Sequence, residues 1–243
     1  MKTILYTKRA NTFILKLLLF ITLFLFVATA FAFLGIKIIL PRDVQTITSA
    51  VKNTVVVIDA GHGGADGGAE VDGVFEKDLN LQISEKVSEF LKLYNVQCEM
   101  TRSEDVLLSS DNAKGKKHSD LTNRVKFARG FENCVFVSIH MNKFPEKKYS
   151  GLQVFYSKND PKSEALALLV QDNVKQVLQK DNNRKVKEAG TSIFVLDRLD
   201  CPAILIECGF LSNDTEREKL CLEEYQTELA FVISTSIIEY LSL

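Results

Sequence analysis

The stretch Val55-Val-Val-Ile-Asp-Ala-Gly-His62-Gly-Gly64 constrains this chain more than any other. Valine and isoleucine favour a strand, and an unbroken apolar run suits one covered on both faces. Glycine on either side of His62 lets the backbone turn sharply and approach a ligand closely. The imidazole therefore belongs at the carboxyl end of a central strand, where open α/β sheets place their sites. Cys134-Val-Phe-Val-Ser-Ile-His140 repeats the construction. Two of the chain's three histidines close apolar strands in this way, and both are candidate metal ligands.

A third apolar run, Ala203-Ile-Leu-Ile, ends in Glu207 and continues as Cys-Gly-Phe-Leu. Burying an ionised carboxylate costs several kcal/mol unless something pairs with it. A divalent cation, or catalytic work beside one, offsets that cost. Catalytic zinc takes three protein ligands, often His and Glu, and keeps a fourth position open. With two histidines in hand the third ligand is an acid, and spacing alone does not choose among Asp59, Asp66, Glu70, Asp72 and Glu76.

Strands and helices alternate along the chain, which predicts an α/β class with a mostly parallel sheet covered by helices on both faces. After the first strand comes a loop from Gly61 to Phe75 with six glycines. Leu79, Ile83, Val87, Leu91 and Tyr94 then recur at helical spacing. Val96–Thr101 reads as a strand, 103–118 as a polar loop, and Ser119 as the cap of a helix carrying Leu121, Val125 and Ala128. Gly151–Tyr156 alternates as a strand does. A long helix carrying Ala165, Leu168, Leu169 and Val177 follows Pro161, and Ile193–Leu196 reads as a short strand. The final helix, Glu223–Tyr240, turns Leu229, Val232, Ile233 and Ile237 inward.

The amino terminus bears on location. Leu17–Ile36 carries no charge and spans roughly 30 Å as a helix, the thickness of a bilayer core. Lys2, Lys8, Arg9 and Lys16 precede it, and the first acid is Asp43. By the positive-inside rule the amino terminus is cytoplasmic and the rest is exported. Leu and Phe continue past the Ala28-Thr-Ala30 cleavage-like site, which favours an uncleaved anchor over a signal peptide. The expected organisation is a signal-anchor over 1–40, a polar tether over 41–53 and one catalytic domain over 54–243.

A formal charge of −1 supplies no electrostatic reason for a nucleic-acid partner. The glycine loop lacks G-K-[ST] and carries acids that would repel phosphates, which argues against nucleotide binding. Five cysteines form no C-x-x-C pair, which argues against a cysteine-rich zinc module, and apolar packing is the expected role of Cys134 and Cys208.

The glycine-histidine run, Phe75-Glu-Lys-Asp-Leu-Asn-Leu81, Thr101-Arg102, Leu121-Thr-Asn-Arg124, Ser138-Ile-His-Met-Asn142 and Glu207-Cys-Gly-Phe-Leu-Ser-Asn213 occur in this order. Together they resemble the zinc-dependent N-acetylmuramoyl-L-alanine amidases of the AmiC-like type, from about Val55 to the carboxyl terminus. A short, anchored, single-domain form is most similar to the sporulation and germination amidases of endospore formers. The resemblance implies one zinc ion per chain held by His62, Glu76 and His140, with Glu207 catalytic. It implies peptidoglycan as substrate, action at the forespore envelope, and muramic-lactam formation in the spore cortex. With no wall-binding domain visible, targeting falls to the membrane anchor, a partner protein or the groove itself. The competing expectation is a catalytically silent wall-binding module, which would have no need to keep Glu207 beside a full ligand set.

Overall fold

A computed structural model of the protein describes residue 22, residues 54–110 and residues 113–243. The anchor and tether expected over 1–53 fall outside these residues, Thr22 apart. Among the described residues no helix is long and apolar enough to cross a membrane.

From Thr54 onward the chain builds one α/β unit around a six-stranded sheet. In chain order the strands are β1 (Val55–Ala60), β4 (Cys98–Met100), β5 (Cys134–Asn142), β6 (Gln153–Tyr156), β7 (Lys187–Glu188) and β8 (Ala203–Phe210). Strands β2 (Glu70–Val71) and β3 (Val74–Phe75) form a separate hairpin. The sheet order is β4-β1-β5-β8-β6-β7. The first four strands are parallel, β6 runs antiparallel to β8, and β7 is parallel to β6. The sheet is thus mixed and mostly parallel.

Helices α1 (Glu76–Leu93), α3 (Lys162–Val177) and α6 (Glu223–Leu241) cover one face, and α2 (Lys116–Arg129) and α4 (Phe194–Arg198) the other. A short helix, α5 (Asp214–Leu220), follows β8. Strand alternation sorts the core accordingly. Val56, Ile58, Val137, Ile139, Ile204 and Ile206 face α1, α3 and α6. Val57, Phe136, Ala203 and Leu205 face α2 and α4. The same parity sends Asp59, Ser138, His140 and Glu207 to the α2–α4 side at the carboxyl ends of their strands. From β1 the chain crosses one way to β4 and then back past β1 to β5. His62 and His140 therefore flank a point where the strand order reverses.

Several local expectations are corrected. Ile193–Leu196 is not a strand: Phe194–Arg198 is helical, and Val195 and Leu196 bury against the sheet. A short apolar run fits either state, and packing chose. Helix α2 begins at Lys116, after Gly115, and the Ser119 hydroxyl accepts from the Ser110 amide instead of capping. In α3 the buried stripe is Leu166, Ala167, Val170 and Val174, while Leu168 and Val177 are exposed. Apolar residues all around that helix left its phase ambiguous. Part of the glycine-rich loop pairs as the β2–β3 hairpin. Leu79, Ile83, Val87 and Leu91 of α1, and Leu229, Val232, Ile233 and Ile237 of α6, are buried as their spacing requires.

Candidate metal centre

His62 sits one residue beyond the glycine that follows β1, in the left-handed region at φ 60°. A non-glycine residue there is strained, and such strain concentrates at functional sites. Two buried arginines hold the turn from behind. Arg124 donates to the carbonyls of Ala60 (2.8 Å) and His62 (2.7 Å), and to Asp59 (2.6 Å) and Asp120 (2.8 Å). Arg102 donates to the carbonyls of Ala60, Gly61, Lys77 and Glu104. Both arginines spend their donors on backbone and buried acids. Asp59 accepts from Arg124, Thr101 and Ser138, and so holds the loop rather than a histidine. Burial raises its carboxyl, but these partners together keep it below the ordinary carboxylate range.

The β2–β3 hairpin folds the chain back so that Glu76, the first residue of α1, lies beneath His62. Its backbone amide donates to the Ala69 carbonyl, and its Oε2 accepts from the Ala69 amide at 2.7 Å. Its Oε1 lies 3.2 Å from Nε2 of His62 and 2.8 Å from Nδ1 of His140. One ligand atom from each of the three residues lies within 4.8 Å of the others. Burial pushes the Glu76 carboxyl up, and the two histidines outweigh it and hold it well below its usual range. For His62, burial disfavours the charged ring, but Glu76 and Asp66 outweigh it and raise the imidazole.

Asp66 Oδ2 stands 3.0 Å from Nδ1 of His62, leaving Nε2 to face the centre. Metal-ligating histidines are held by a carboxylate on the far ring nitrogen in the same manner. Asn80, one turn after Glu76 on α1, is fully buried and donates to the Gly61 carbonyl at 3.0 Å. Sequence reasoning assigned no role to Asn80. Its signal was a polar residue inside the stripe formed by Leu79 and Ile83. Gly61 is required sterically, because a Cβ there would overlap the His140 ring.

Glu207 is paired in register with His140 on the adjacent strand. Its Oε2 is buried and, among the described residues, has no hydrogen-bond partner. Burial is the main cause that lifts its carboxyl to about 7. The carboxylate lines a cleft of about 260 Å³ together with His62, His140, Arg124, Phe194 and Leu196. The loop over 103–110 contributes nothing to this lining; it is tied by Asp105 to Gly64 and Lys77, and by the Leu108 amide to Asp120. The third histidine, His118, is exposed and packs edge-on against Phe194.

The donor set fits a catalytic zinc ion. Two imidazole nitrogens and one carboxylate oxygen form a ligand set that such sites use. Their contacts of 2.8 and 3.2 Å approach the roughly 3.4 Å edge of a tetrahedron with bonds of about 2.1 Å. The unpartnered Glu207 oxygen gives the cleft a proton acceptor that is not among the three.

The chain is similar to several known proteins. A family model described as N-acetylmuramoyl-L-alanine amidase matches residues 56–239. A germination-specific N-acetylmuramoyl-L-alanine amidase of Bacillus subtilis is 35% identical over 189 residues, covering 76% of this chain and 79% of that protein. Among solved structures, the CwlD amidase of Clostridioides difficile in complex with the GerS lipoprotein superposes with a TM-score of 0.75 at 38% identity. That match covers 78% of this chain and 99% of the other. The AmiC2 amidase of Nostoc punctiforme follows at 0.69 and 32%, covering 79% and 98%. With the match running through every strand that carries a site residue, the chain belongs to the N-acetylmuramoyl-L-alanine amidase family.

Proposed function

We propose that this protein is a zinc-dependent peptidoglycan amidase that cleaves the bond between the lactyl group of muramic acid and L-alanine. One observation carries the reading: His62, Glu76 and His140 converge beside a buried, unpartnered oxygen of Glu207. His62 Nε2, His140 Nδ1 and the Glu76 carboxylate hold the metal. Zinc, when bound, supplies Lewis acidity that polarises a carbonyl and makes a water easier to deprotonate. Glu207 accepts the proton of the attacking water at Oε2 and delivers it to the alanine nitrogen as the C–N bond breaks. Acid–base assistance of this kind contributes about 10²–10⁴-fold. Glu76 is unsuited to that task, because a ligating carboxylate keeps little basicity. The apolar wall at Phe194 and Leu196 limits water around the reacting amide.

Kinship with a germination-specific amidase and with CwlD supports a spore role, in cortex maturation through muramic-lactam formation and in germination. The capture of CwlD with the GerS lipoprotein supports a protein partner for this chain as well. Leu17–Ile36 anchors residues 54–243, the catalytic domain, outside the cytoplasm at the forespore envelope. The decisive experiment follows release of dye-labelled stem peptide from muropeptides by the wild type and Glu207→Ala, with zinc measured in both. Loss of activity by 10²-fold or more with zinc retained is expected. Equal, null activity in both would instead mark a wall-binding module.

A further inference from the structure

Two of the five cysteines stand apart from the other three. Strands β5 and β8 are parallel, with Phe136 opposite Ala203, Ser138 opposite Leu205 and His140 opposite Glu207. Two residues before the first of these pairs lie Cys134, which opens β5, and Cys201, just ahead of β8 beyond the bond from the Phe136 amide to the Pro202 carbonyl; extending the register sets them opposite each other. By parity both point to the α2–α4 face, and both belong to the apolar cluster there. Register neighbours on parallel strands are about 4.8 Å apart, inside the roughly 4.4–6.8 Å Cα separation that disulfides span. Cys201 packs against the apolar cluster that contains Cys134. Cys134 is buried and Cys201 only half-buried, so an oxidant in solution reaches the second sulfur first. Cys98 and Cys208 are buried, and Cys98 donates to the Ser88 hydroxyl; Cys221 is exposed.

We infer that Cys134 and Cys201 are a disulfide-forming pair that locks the feet of the two strands bearing His140 and Glu207. The structure holds both as thiols. Oxidation proceeds by exchange with a small-molecule disulfide. The Cys201 thiolate attacks one sulfur of the oxidant and expels a first thiol. The Cys134 thiolate then attacks the Cys201 sulfur of the mixed disulfide and expels a second. Two oxidant thiols leave with the two electrons, and each takes up one of the protons released. The neighbouring Cys134 thiol holds the Cys201 thiol below its ordinary range, which favours it as the first nucleophile. An exported domain meets oxidising conditions in which such a bridge persists. The pair is independent of the catalytic reading, because neither sulfur belongs to the centre.

The test uses the full-length chain, reduced, freed of reductant and incubated with oxidised glutathione. It is then denatured with excess N-ethylmaleimide and weighed intact. The reduced chain takes five maleimides. After oxidation two thiols should be lost to maleimide as a bridge, with the Cys134 and Cys201 peptides linked in a digest and no glutathione on either; the exposed Cys221 can carry glutathione in place of a maleimide. Bridging should raise the melting temperature by on the order of 10 °C. Cys134→Ser should stop at a glutathione adduct on Cys201, and neither it nor Cys201→Ser should show the gain. If Cys134→Ser fails to fold, Cys201→Ser at the half-buried position supplies the control. Five additions after treatment, a bridge between any other thiols, glutathione left on Cys201 of the wild type, or a bridge without thermal gain would overturn the inference.

Discussion

Replacing Arg124 with Met tests what holds the histidine turn in place. The guanidinium and the Asp59 carboxylate are each about 2% exposed and 2.6 Å apart, and Asp120 lies 2.8 Å from Nε. Methionine fills much of the volume but removes every donor. Two buried acids lose their cation, and the carbonyls of Ala60 and His62 lose a partner. Breaking a buried pair from one side costs about 3–5 kcal/mol. Asp59 keeps the Thr101 and Ser138 hydroxyls and Asp120 keeps the Leu108 amide, which places the loss near the lower end, about 3 kcal/mol. For a domain of this size that lowers the melting temperature by about 6–12 °C.

The pH dependence carries the sign. In the wild type the folded-state Asp59 carboxyl lies below its unfolded value, because its partners outweigh burial. Its contribution is therefore complete above about pH 4 and is lost as the pH falls through the folded value. Without Arg124, burial is opposed by two hydroxyls alone and the folded value moves up. Acidification from pH 7 toward pH 5 then relieves the variant while leaving the wild type unaffected by this group. Urea unfolding of both chains at the two pH values measures the gap, which should narrow in acid. A deficit under about 1 kcal/mol at pH 7 with an unchanged m value, or a gap that widens on acidification, would refute the reasoning.

Other consequences are as direct. Asp66→Asn removes the carboxylate that steadies His62 and should weaken zinc affinity by about 10–100-fold with little change in melting temperature, as read by competition with a chelating dye. Gly61→Ala drives a methyl group into the His140 ring, so zinc content should fall while far-ultraviolet circular dichroism remains native. Leu166→Ala in α3 should cost about 2–5 kcal/mol, and Leu168→Ala on the exposed side within about 0.5 kcal/mol. Equal losses from those two variants in urea unfolding would contradict the phase of that helix.

Three apolar runs were enough to mark the central strands of the sheet and what stands at their ends. Unalternating apolar runs before His62, His140 and Glu207 leave little choice but buried parallel strands. Side-chain parity puts Ser138 and His140 on one face of their strand, and the register with β8, which the structure supplies, brings Glu207 to that same face. The phases of α1 and α6 were legible as well, because their apolar residues form a single stripe. Local pattern said less where it was ambiguous or short, as at Ile193–Leu196, where packing on the sheet selected a helix. Which acid turns toward the histidines was settled by long-range packing. Asp66 and Glu76 are both carboxylates close to His62 in sequence. The β2–β3 hairpin returns the chain so that Glu76 meets both imidazoles while Asp66 reaches the far nitrogen of one. Arg124 and Asn80, which brace the turn, contact residues far away along the chain. Spacing cannot reveal such pairings, since a buried donor is satisfied by whichever carbonyl the fold brings within about 3 Å.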